Sequence, residues 1–203
     1  MSPILGSFGS LSARAFGFRS VTTAPFTPTG AYDALGAVTL SATASSIVLS
    51  GIPSGYKHIQ IRLSAQTNRA TVGRDAINVQ FNGDTGSNYN SHGIYGDGSA
   101  VAVEANGTAT SMTVRNVGTT TTGSAYFGSV IMDVLDYASV QKYKTLRFLG
   151  GVDVNGTVGG AGGTATFGSG LYMSTNAVSS ITIVPGSGST FSANSSFALY
   201  GVK

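Results

Sequence analysis

From residue 31 onward, apolar and polar positions alternate in short runs. Segment 58–66 is the clearest: Ile59, Ile61, Leu63 and Ala65 share one face, and Gln60, Arg62 and Ser64 share the other. A period of two is that of a strand buried on one side. Ile77, Val79 and Phe81 alternate with Asn78, Gln80 and Asn82, and Asn82-Gly83 reads as a hairpin-type turn. Val101 and Val103 precede a second Asn-Gly pair, Asn106-Gly107, and Met112 and Val114 begin a weak strand ended by Gly118 and the threonines of 119–122. Residues 129–135 (SVIMDVL) are apolar nearly throughout, Asp133 excepted, which predicts a central strand covered on both faces. Segments 145–149, 166–173, 180–184 and 196–202 complete the set, with a weaker pair at 37–40 and 47–49. Helix signal is confined to 137–143 (YASVQKY), where Asp136 as an N-cap predicts one or two turns crossing between sheets. About ten strands separated by Gly, Asn and Ser turns, with no internal repeat, predict an all-β fold: an antiparallel β-sandwich, jelly-roll-like, over residues 31–203.

Residues 1–30 read differently, as an extended N-terminal arm. Pro3, Pro25 and Pro28 oppose regular structure, and the apolar residues Ile4, Leu5, Phe8, Leu11, Phe16, Phe18 and Phe26 recur singly, without a period. Such a segment can hardly fold alone, so it is expected to dock its phenylalanines in the grooves of another subunit, the alternative being a tail folded back on its own domain. Arg14 and Arg19 interrupt the apolar residues and no basic start precedes them, which speaks against a signal peptide. No apolar stretch approaches the ~18 residues of a membrane helix, so no membrane insertion is expected.

Composition narrows the function. A length of 203 residues suits one domain with a tail. Charged residues make up 9% of the chain, against roughly 25% in average soluble proteins. Gly (29), Ser (27) and Thr (23) together exceed a third of it. Leu, Ile, Val and Phe supply 49 residues, enough to lift the chain above the compositions that stay disordered. With no cysteine there is no disulfide frame, thiolate zinc site or cysteine nucleophile. The net charge of +3 comes from 11 cations against 8 anions without a basic run, which argues against nucleic acid. His58 and His92 are the only histidines and Glu104 the only glutamate. No nucleophile elbow or phosphate-binding loop occurs, and Asp133 and Asp136 read as a turn or capping pair. The expectation is therefore no catalytic residue, no cofactor and no metal site. Residues 82–97 (NGDTGSNYNSHGIYGD) gather Asn88, Tyr89, Asn90, His92, Tyr95 and Asp97, the aromatic faces and paired polar groups that glycan contact uses. The plainer reading, preferred here, is a strand whose tyrosines cover a sheet while Asn and Gly make turns.

Four segments carry a resemblance: SGIPSGYKHIQIRLSAQTNRA (50–70), VQFNGDTGSNYNSHGIYGDGSA (79–100), SSITIVPGSG (179–188) and SFALYGVK (196–203). In this order they resemble small Gly/Ser/Thr-rich virion structural proteins of tailed bacteriophages, notably those of cyanobacteria and other aquatic bacteria. The resemblance covers roughly residues 31–203 and implies a component of the phage particle surface, with no enzymatic activity and with other virion proteins, of tail or capsid, as partners. An anchoring arm followed by a distal domain favours a tail fibre or tail-associated appendage that contacts host surface polysaccharide. Capsid decoration or a head fibre is the alternative, and a carbohydrate-binding module the second. Fibres of this kind suggest a homotrimer, which would also cover apolar surface and limit exposed strand edges.

Overall fold

The computed structural model describes residues 30–154 and 163–203. The predicted arm, residues 1–30 with Ile4, Leu5, Phe8, Leu11, Phe16, Phe18 and Phe26, lies outside the described residues except for Gly30. The described chain is all-β. Its strands are β1 (Tyr32–Thr39), β2 (Ile47–Ser50), β3 (His58–Thr67), β4 (Arg74–Phe81), β5 (Tyr89–Gly96), β6 (Val101–Ala109), β7 (Met112–Thr119), β8 (Gly128–Leu135), β9 (Lys144–Val152), β10 (Thr164–Tyr172), β11 (Ser180–Pro185) and β12 (Ser196–Val202). A single 3-10 turn, Thr120–Thr122, is the one helical element among the described residues.

The strands form one large, open, mostly antiparallel sheet of twelve, in the order β2-β11-β4-β7-β3-β8-β9-β10-β5-β6, with β12 pairing β3 and β1 pairing β12. The ladder runs on through β3, where separate sheets were expected. Residues His58 to Ala65 pair antiparallel with β8, and the last two, Gln66 and Thr67, pair parallel with Gly118 and Thr119 of β7. The chain backbones must come very close at this junction. A Cβ on Gly128 would lie 2.8 Å from the Val117 Cα and 2.9 Å from the Gly118 nitrogen, so only glycine fits. Gln66 fastens the same place, its amide donating to the carbonyls of Gly123 (2.8 Å) and Tyr126 (3.0 Å).

From the junction the β7-β4-β11-β2 limb turns back, and β7 lies against β8, β9 and β10 without pairing with them. One hydrophobic core is lined by both limbs: Ile77, Val79, Phe81, Met112, Val114, Ile181 and Ile183 from one, Val130, Met132, Val134, Leu146 and Phe148 from the other, with Ile59, Ile61 and Leu63 of β3. These are the alternating positions of each strand, and their burial supplies most of the driving force.

Three local expectations differ from the structure. The segment 137–143 forms turns and bends, no helix. Asp136 takes a positive φ of 48°, and the Ser139 carbonyl, which a helix would pair with the Tyr143 N–H, accepts instead from the buried Lys144 ammonium (2.7 Å), as does the Lys142 carbonyl (2.7 Å). Asn82-Gly83 does turn with two positive φ values, 55° and 67°, yet β4 and β5 do not pair. The Asn82 side chain ties the turn to the approach of β11, accepting from Ser179 N–H (2.8 Å) and donating to Ala177 (2.9 Å). Finally, within the described chain β8 is covered on one face only, and Ile131 points out of it.

Candidate functional site

The residues singled out for glycan contact are spread over two faces of β5 and its flanking turns. Tyr89 is buried, stacked on Tyr172 with ring centroids 4.9 Å apart, and its hydroxyl accepts from Phe81 N–H (3.0 Å) and donates to the Asp84 carbonyl (3.0 Å). Burial pushes this phenol up to about 12. Tyr95 points to the same side, and the guanidiniums of Arg74 (5.3 Å) and Arg115 (5.4 Å) both lie within cation–π distance of its ring. His92 is exposed on the opposite side of the strand. Asn90 accepts from Thr108 N–H (2.8 Å), and Asn88 donates to the Asp84 carboxylate (2.9 Å). Asp97 closes the β5–β6 turn by accepting from Ala100 N–H (2.9 Å), Ser99 N–H (3.0 Å) and the Ser99 hydroxyl (2.8 Å). These donors, those of Ala100 first, hold its carboxyl down at about 2. Hydrogen bonding inside the fold thus takes up Asn88, Tyr89, Asn90 and Asp97, and the two tyrosines do not share a surface with His92.

Other polar groups are likewise taken up by one another. The buried Asp75 carboxylate accepts from Thr67 (2.9 Å), Ser187 (2.9 Å), Ser189 (2.8 Å), Ala76 N–H (2.9 Å) and Arg69 (3.2 Å), clasping β3, β4 and the loop before β12. A polar cleft of about 600 Å³ beside it has Arg69, Asn78, Asn106, Thr113 and Arg115 in its walls. Both guanidiniums are paired there, Arg69 with Asp75 and Arg115 with Glu104. Asp136 lies 2.7 Å from the Lys142 ammonium, which first among its neighbours holds its carboxyl below the usual range. Among the described residues every buried side-chain nitrogen or oxygen has a partner.

The surface feature that stands out is apolar. On the outward face of β6, β5, β10, β9 and β8, cross-strand register aligns Val103, Ile94, Phe167, Leu149 and Ile131 in one row. Their side chains are open to solvent, with exposures of 77%, 44%, 59%, 59% and 41%. Strand spacing makes this ridge roughly 19 Å long. The next row on one side holds small residues on four strands, Gly96, Ala165, Gly151 and Ser129, so a low shelf runs beside the ridge as far as β6, where the exposed Val101 closes it. On the other side lie His92, Ser169, Arg147 and Asp133. Beyond Ile131 the row ends on Arg62, whose guanidinium lies over the Tyr200 ring at 5.1 Å. A continuous apolar patch of this size is what interaction surfaces expose. Its trace in the sequence is the failure of alternation: Ile131 beside Met132, and Leu149 beside Phe148, put apolar residues on both faces of their strands.

Compared with known proteins, the chain matches no family model, no curated protein and no solved structure.

Proposed function

We propose that the chain is a non-enzymatic structural protein of a tailed-phage virion, displayed on the particle surface as a tail fibre or tail-associated appendage. The observation that carries this reading is the exposed apolar ridge on a low-charge β scaffold whose polar groups largely hold one another. Such a surface serves assembly, where burial of a preformed face gives affinity without chemistry. The four-segment resemblance supplies the particle, and the composition of residues 1–30 supplies the anchor. The finer architecture belongs to the same reading, a jelly-roll-like sandwich, and what supports it is the approach of β7 to β8, β9 and β10 around one core. Capsid decoration is the second reading, and the ridge favours it, because a cementing protein needs a broad contact face in addition to an arm.

Deleting residues 1–30 tests the assignment. The truncated chain is expected to stay soluble and folded by circular dichroism and to be lost from particles grown with it as the only copy. Normal incorporation of the truncated chain would remove the arm as anchor. A particle reconstruction then separates the two readings, with a few copies at the tail for the first and hundreds on the shell for the second.

A further inference from the structure

We infer that the ridge is a self-association surface, on which two copies of this chain pack face to face about a two-fold axis lying between ridge and shelf. The inference rests on reading the ridge as an assembly surface, and it names the occupant.

The argument is one of fit. Rotation by 180° about an axis parallel to the ridge carries each strand onto its own copy, running the opposite way. Leu149 of one copy then lies over Gly151 of the other, Phe167 over Ala165, Ile94 over Gly96 and Ile131 over Ser129. At four of the five strands a large side chain meets a small one, and at the β6 edge Val103 meets the exposed Val101, so the two ridges lie side by side over most of their length, as the inner faces of stacked sheets do. The same operation places Arg147, two residues before Leu149, against Asp153 of the other copy, two residues after Gly151, and it does so twice. Arg147 and Asp153 are both exposed, and neither side chain has a partner among the described residues. A surface evolved for an unrelated partner has no reason to match its own charges in this way. Ridge and shelf together offer on the order of 600–800 Å² per copy, the face that a specific interface buries. A net charge of +3 leaves little repulsion between copies. The pairing also gives the apolar run 129–135 the cover on its second face that its composition predicts. It replaces the homotrimer expected from the sequence, because a flat face that meets itself closes at two.

The test is the mass of the full chain in solution, by light scattering and sedimentation between about 1 and 100 µM. The expected result is a dimer of the 20.5 kDa chain. Leu149→Glu is expected to give a monomer with unchanged circular dichroism and thermal melting. Arg147→Asp and Asp153→Arg should each weaken association about tenfold or more, and the double exchange should return it to within about threefold of the starting value. A wild-type monomer or trimer overturns the pairing, as does a Leu149→Glu dimer or a double variant no better than the singles. Incorporation of Leu149→Glu into particles separates this from the assembly reading. A wild-type monomer whose Leu149→Glu variant is lost from particles ends the pairing and keeps assembly. A wild-type dimer whose monomeric Leu149→Glu variant incorporates normally keeps the pairing and ends the ridge's part in the virion.

Discussion

Lys144 enters the core with its ammonium group, and three backbone carbonyls receive it: Ser139 (2.7 Å), Lys142 (2.7 Å) and Thr175 (3.2 Å). Burial pushes its pKa below the ordinary lysine value, yet the three acceptors offset much of that desolvation. Lys144→Met keeps the stem and strands the carbonyls, so it is expected to cost about 3 kcal/mol in chemical denaturation. The same lysine explains why 137–143 misled the sequence reading: its carbonyls have a stronger donor than a helical N–H, and that donor lies beyond the segment. Asp97 makes the opposite case, a fully exposed carboxylate held by its own turn. Its pKa is about 2 folded against an ordinary 3.8, so its contribution is complete above about pH 4 and is lost as pH falls toward 2. Asp97→Asn should flatten the pH dependence of the unfolding midpoint in that window, lying below the parent chain at pH 7 and converging with it as pH falls toward 2. An equally steep acid limb in the variant would assign acid loss to other carboxylates.

Among elements, the junction of β3 with β7 decides the topology, and glycine decides the junction. Gly128→Ala places a methyl group against the backbone of Val117 and Gly118, neither of which can turn aside as a side chain can. The expected cost is about 3 kcal/mol in urea unfolding. Gly36→Ala, with nothing within 4 Å of the added carbon, serves as control and should be neutral or slightly stabilising. A small loss at Gly128 would mean that the limbs separate more readily than their contact suggests. β3 itself was legible, because Ile59, Ile61, Leu63 and Ala65 fall on one face and are all buried. β6 was legible only in part. Its outward Val101 and Val103 and inward Glu104 invert the usual pattern, the glutamate being paired with Arg115 across the interior.

For the whole molecule, the all-β class followed from period-two runs, whereas the order of strands did not. Gly118 and Gly128 look like any other glycines in a chain that has 29 of them. The ridge was visible only as apolar residues of the wrong parity, and reading them required knowing that β8, β9 and β10 are neighbours. That neighbourhood also sets a schedule for biosynthesis. One long edge of β3 belongs to β12, and Gln66 and Ser195, which bond at their far end, are 129 residues apart. At ribosomal speeds the interval between them is on the order of 10 s. Throughout it the nascent chain carries an apolar strand with a free edge, open to any passing strand. Synthesis of β12 is therefore the step that protects β3, made so much earlier, from aggregation.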